Sequence, residues 1–126
     1  MAEASTILVV DDNANLRQLI TVQLEMSGYK VVVAENGREA VDLVRRGCPD
    51  LILMDIQMPV MDGLDSTRII RSIRELCRMP IIAFSAYGDY GENREAALEA
   101  GCTAYVSKTV GITQLPSIVE RYLNPA

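Results

Sequence analysis

The feature that most constrains this chain is a repeated alternation. A short apolar run is followed by a turn and then by a segment whose apolar residues recur at helical spacing. Ile7-Leu8-Val9-Val10, Val31-Val32-Val33, Leu51-Ile52-Leu53-Met54, Ile81-Ile82-Ala83-Phe84 and Ala104-Tyr105-Val106 are the runs. Such uninterrupted stretches suit strands buried on both faces, as in a parallel sheet. Between them, Leu16, Leu19, Ile20 and Leu24 predict a helix that opens near Asn13 and stops at Ser27-Gly28. Asn36 with Glu39 is a capping-box signature, followed by Ala40, Val41 and Val44 on one face, with Gly47 as the stop and Pro49 barring continuation. Asp62 caps a third helix with an inner face of Ile69, Ile73 and Leu76, which puts Cys77 beside the core rather than in a reactive setting. An alanine-rich helix from Asn93 to Ala100 ends at Gly101. Thr113 opens the last helix, with Pro116 in the first turn, where a missing N–H is tolerated, and Ile118, Val119 and Tyr122 as apolar contacts.

Strands and helices alternating with short turns imply a doubly wound parallel α/β sheet with helices on both faces. With 126 residues the chain suits one domain over residues 1–126, and a second core would not fit. In the flavodoxin-like (βα)5 strand order 2-1-3-4-5, strands one and three are neighbours, and ligands bind outside their carboxyl ends. That order brings Asp11, Asp12 and Asp55 to one crevice, with Ser85 at the end of strand four and Lys108 after strand five.

Charge and composition narrow the function. A net charge of -5 without a Lys/Arg cluster argues against direct nucleic-acid binding. No apolar stretch is long enough to span a membrane, and Met1 to Thr6 lacks the parts of a signal peptide, so the expected location is cytoplasmic. Three widely spaced cysteines and no histidine exclude zinc-type clusters, a histidine base and a phosphohistidine on this chain.

The adjacent Asp11 and Asp12 need an explanation, because neighbouring carboxylates repel more strongly as water is excluded. Helix capping requires only one such side chain. Three carboxylates at one crevice instead suit a hard divalent cation, and magnesium in particular leaves coordination positions open for a phosphoryl group. Asp55 could then attack phosphorus, since a carboxylate can form an aspartyl phosphate. A lysine and a hydroxyl supply the positioning and charge neutralisation that such a transfer needs, which fits Lys108 and Ser85. Taken singly, Ser85 could satisfy a turn and Lys108 a solvated surface position; their conjunction with the aspartates points to chemistry.

The segments "VVDDN", "LILMDIQMPVMDG", "IIAFSA" and "AYVSK" resemble, in order and strand context, the motif set of the receiver domain of two-component response regulators. The match runs from about Thr6 to Leu123. The resemblance implies that Asp55 is the phosphoacceptor, and that Asp12, with Asp11 through water, binds Mg2+ together with the backbone carbonyl of Gln57. It places Lys108 on the phosphoryl oxygens, Ser85 at the hydroxyl switch position and Tyr105 at the aromatic one. Gln57 and Tyr87 match positions flanking the path of water to the phosphoryl group, where a bulky Tyr87 would slow its loss. Thr109 departs from the family, which commonly has a proline there joined by a cis bond. A cis bond to threonine costs about 3–4 kcal/mol, so either strain is held there or another turn aims the lysine. The loop "AYGDYG" after Ser85, with two glycines and few apolar anchors, suits the mobile element of a switch. The implied partners are a sensor histidine kinase or histidine phosphotransfer protein as donor and a downstream protein target, contacted through the last two helices. A dimer on activation is compatible with this reading.

Three other readings compete. A metal-dependent phosphatase acting on external substrates would carry nucleophile and acid on one loop after strand one, with a cap over the site, and no inserted cap is visible. A flavin or nucleotide binder would need glycine between Asp11 and Asn15, where two negative charges stand instead. A receiver-like interaction module that no longer uses phosphate would have no need of competent residues at all five chemical positions.

Overall fold

A computed structural model describes residues 4–56, 58, 60–73, 78–85, 91–108 and 111–124, with side chains from 94 onward in the fourth helix. The strands are β1 (Thr6–Val10), β2 (Lys30–Ala34), β3 (Leu51–Met54), β4 (Ile81–Ser85) and β5 (Ala104–Ser107). The helices are α1 (Ala14–Met26), α2 (Gly37–Arg46), α3 (Gly63–Ile73), α4 (Gly91–Ala100) and α5 (Leu115–Leu123). All pairings are parallel and the order is β2-β1-β3-β4-β5, the expected doubly wound arrangement.

The alternation of side chains across each strand splits the core into two layers. Leu8, Val10, Ile52, Met54, Ile81 and Ala83 pack toward α2, α3 and α4. Ile7, Val9, Leu51, Leu53, Ile82 and Phe84 pack toward α1 and α5. β1, β3 and β4 are buried along almost their whole length, which is why they read as continuous apolar runs. β2 lies at the edge and leaves Val32 and Val33 exposed.

Local signals end the helices where chemistry predicts. The side chains of Asn13, Asn36 and Asp62 accept hydrogen bonds from the backbone N–H groups of Leu16, Glu39 and Asp65. Gly28 and Gly101 take positive φ at the turns after α1 and α4. Three expectations change. Leu19, expected on the inner face of α1, is exposed, because the helix packs through the i, i+4 line of Leu16, Ile20 and Leu24. In α3, Ser66, Thr67 and Ile70 form the buried face, with Ile69 and Ile73 at its margin; Leu76 and Cys77 lie outside the described residues. A 3-10 turn over Ile112–Gln114 precedes α5, so Pro116 falls in the first turn of a helix that starts at Leu115 rather than Thr113.

Candidate metal and phosphoryl site

The register that pairs Val10 with Met54 sets Asp11 and Asp55 side by side where β1 and β3 end, and the Asp55 N–H donates to the carbonyl of Val10 at 2.9 Å. Asp12 follows at the rim, exposed, while Asp11 and Asp55 are buried. Carboxylate oxygens of the three lie within 4.8 Å of one another. Lys108, after β5, brings its Nζ to 3.0 Å from Asp11 Oδ2 and 3.4 Å from Asp55 Oδ2. From its place after β5, Lys108 therefore reaches into the crevice. Ser85 is buried at the end of β4, in register with Ser107 of β5. Tyr105 is buried with the α2–α4 layer, so its aromatic ring is a core element of β5 and not an exposed edge residue.

The electrostatics follow from this geometry. Burial pushes the Asp55 carboxyl up to about 6, and the negative charge of Asp11 adds to the effect. Lys108 works against both by ion pairing, and the more distant Asp12 pushes up again. Under-compensated carboxylates packed this closely, offering hard oxygen donors with no sulfur or imidazole among them, fit a divalent cation such as magnesium.

The supporting contacts include one that sequence reasoning missed. Arg17 Nη1 donates to the carbonyl of Asp11 at 2.7 Å, while Nη2 lies 3.6 Å from Glu35 Oε1 at the end of β2. Asn13 N–H donates to Asp11 Oδ1 at 2.9 Å. The β1–α1 loop is thus held from both sides. An arginine in the first turns of a helix opposes the helix dipole, and that was the available signal. Gly63 is the second missed residue, because a Cβ there would overlap the carbonyl of Asp55. Val60, in the same β3–α3 connection, takes φ of 70°, a left-handed conformation that is strained for a β-branched side chain. Gln57, Tyr87 and Thr109 lie outside the described residues, as does most of the "AYGDYG" loop.

A doubly wound sheet with acidic residues and a lysine at the carboxyl ends of its strands defines a class of phosphoryl-transfer fold, and comparison with known proteins narrows it. A sequence profile of the response regulator receiver domain matches residues 7–120, and the chain belongs to that family. It is 37% identical over 121 residues to the polar-differentiation response regulator DivK of Brucella anthropi, covering 96% of this chain and 98% of the relative. Its structure is similar to the receiver domain of sensor histidine kinase PA1611 from Pseudomonas aeruginosa, at 37% identity and a TM-score of 0.86, covering 95% of this chain and 98% of that one. That receiver has a magnesium ion coordinated in its active-site cleft. A CheY-like receiver domain protein from Methanospirillum hungatei is similar at 28% identity with a TM-score of 0.88, covering 98% of this chain and 96% of the other. The chain is a response regulator receiver of phosphorelay signalling. Among the described residues no helix is long and apolar enough to cross a membrane.

Proposed function

We propose that residues 1–126 form one receiver domain in which Asp55 accepts a phosphoryl group from a phosphohistidine and the protein surface switches in response. The observation that carries this reading is the placement of the Lys108 ammonium within ion-pair distance of both Asp11 and Asp55. In this reading Asp12, Asp55 and the carbonyl of Gln57 hold Mg2+, with Asp11 acting through water. Magnesium bound there supplies neutralising charge for the carboxylates and the phosphoryl oxygens. The chain's own residues do the rest. An Asp55 carboxylate oxygen attacks phosphorus; the new O–P bond forms as the P–N bond to the donor histidine breaks, and the imidazole keeps the electron pair. A carboxyl that titrates at about 6 is mostly ionised at neutral pH and available as the nucleophile.

Lys108 then exchanges its partner oxygen on Asp55 for a phosphoryl oxygen, and the Ser85 hydroxyl donates to another. Tyr105, behind β5, follows the inward movement of Ser85 and carries the change toward the last two helices, where a protein target reads it. By their match to the family's positions, Gln57 and Tyr87 tune how fast the phosphoryl group is lost, with Tyr87 slowing it. The chain modifies its own aspartate instead of turning over an external substrate. A sensor kinase or histidine phosphotransfer protein in the cytoplasm is the donor. The groove between α1 and the turn before α5, lined by Leu19, Val22, Ile112 and Thr113, offers such a donor an apolar foothold between the segments that carry Asp12 and Lys108.

The test is intact-mass analysis after incubation with acetyl phosphate and magnesium. One added phosphoryl group is expected, absent from Asp55→Asn and absent when magnesium is chelated. No adduct together with no beryllofluoride binding would refute phosphate chemistry and leave a phosphate-independent interaction module. Beryllofluoride binding without a detectable adduct would indicate fast hydrolysis at the same site.

A further inference from the structure

We propose that the β2 edge is an interface between two copies of this chain, paired antiparallel about a two-fold axis through Val32. β2 ends the sheet, with no described strand beyond it. Its centre is apolar and open, with Val32 42% and Val33 41% exposed. The Lys30 N–H donates to Ser5, and the Ala34 carbonyl accepts from Asp11, so alternate residues Lys30, Val32 and Ala34 turn their backbone groups toward β1. Val31 and Val33 must then turn theirs outward. An antiparallel copy can satisfy them when Val31 of each chain lies opposite Val33 of the other. Each of these two pairs exchanges two hydrogen bonds, and Val32 faces Val32 on the axis.

The helical layer beside β2 carries a matching charge pattern, which selects a second copy in this orientation as the occupant. Val32 shares a hollow with Leu43 and Arg46 of α2. Glu39, one turn before Leu43, continues the same stripe, giving acid, apolar and base along the edge. Lys30, paired with Thr6, adds a second positive charge at the Arg46 end, where the Asp50 carboxylate in the same hollow is engaged by the Thr6 N–H. Antiparallel pairing turns this sequence upon itself. Lys30 and Arg46 of each chain approach Glu39 of the other, and the two Leu43 side chains meet between them. The spacing permits it, because α2 packs over both β1 and β2. Across the axis the two α2 helices fall about two strand spacings apart, roughly 10 Å, the separation of packed helices. The contact is isologous and closes on itself, so it consumes the open edge without propagating into a fibre.

The test is sedimentation equilibrium of the full chain from micromolar to millimolar concentration, compared across variants. A dimer is expected for the wild type. Glu39→Lys and Arg46→Glu should each weaken it about tenfold, and combining them should restore it, because the reversed pair again matches. Val33→Pro removes an outward N–H while sparing the bonds to β1, and should leave a folded monomer. Val32→Cys should cross-link under mild oxidation, with wild type as the background, since facing Cα atoms of a non-hydrogen-bonded pair lie about 4.5 Å apart, within disulfide reach. A wild type that stays monomeric throughout overturns the proposal. So does a dimer unaffected by either charge reversal, whatever becomes of the folding of Val33→Pro.

Discussion

Asp55 is held in a setting that favours its protonated form, and this gives the metal-free protein a particular pH dependence. Folding moves the carboxyl from 3.8 up to about 6, so between these values the folded state binds more protons than the unfolded state. Stability contributed by this group is therefore present at low pH and is lost as pH rises through about 6. Replacing Asp55 by Asn removes the charge without changing the shape. In chelator at pH 7, Asp55→Asn is expected to be more stable than wild type by about 1–3 kcal/mol in urea unfolding. The difference should shrink as pH falls through 3.8 and vanish below about pH 3, where the aspartate is neutral in both states. An unchanged or reduced stability at pH 7 would mean that Lys108 compensates the carboxylate fully. Asp55 was legible as a candidate nucleophile at the end of an apolar run, but its altered acidity was not. That depends on burial and on Asp11, Lys108 and Asp12, whose distances are set by three different strand ends.

At the scale of elements, the start of α3 packs against the Asp55 backbone and against the start of α2. Gly63 begins α3 directly against the Asp55 backbone, and its N–H donates to the carbonyl of Ile56 at 2.7 Å. A methyl group at that position meets backbone that cannot move aside without carrying Asp55 with it. Gly63→Ala should cost about 2–3 kcal/mol of stability and slow acetyl phosphate labelling; wild-type values for both would show that the loop relaxes freely. The buried hydroxyl of Ser66 donates to the carbonyl of Gly37, tying α3 to the start of α2. Asn36 caps α2 through the Glu39 N–H at 2.8 Å. Asn36→Ala is expected to lower the urea midpoint by the equivalent of about 1 kcal/mol at unchanged slope. The cap was readable because Asn36 and Glu39 are three residues apart. The burial of Ser66 and Thr67 was not, since hydroxyl residues in a helix ordinarily suggest a solvated face, and here α3 is enclosed by its neighbours.

For the molecule as a whole, a cation held by Asp11, Asp12 and Asp55 would couple to folding, because the unfolded chain does not assemble the cluster. Magnesium at ten times its dissociation constant should raise unfolding stability by about 1.4 kcal/mol. Asp12→Asn should lose most of that increment, and an equal increment in wild type and variant would place the ion elsewhere. What the sequence determined by itself was the alternation of strands and helices, their capping and stopping residues, the parallel doubly wound class and the chemical identity of the site residues. Those properties are encoded over a few residues by periodicity, side-chain hydrogen bonding and turn preference. Tertiary structure alone decided that Lys108 reaches two aspartates, that Arg17 holds the carbonyl of Asp11, that Tyr105 is buried and Leu19 is not, and that β2 leaves a valine-rich edge open. Each depends on which distant segment packs beside which, and burial and Coulomb interaction follow that spatial neighbourhood instead of order along the chain.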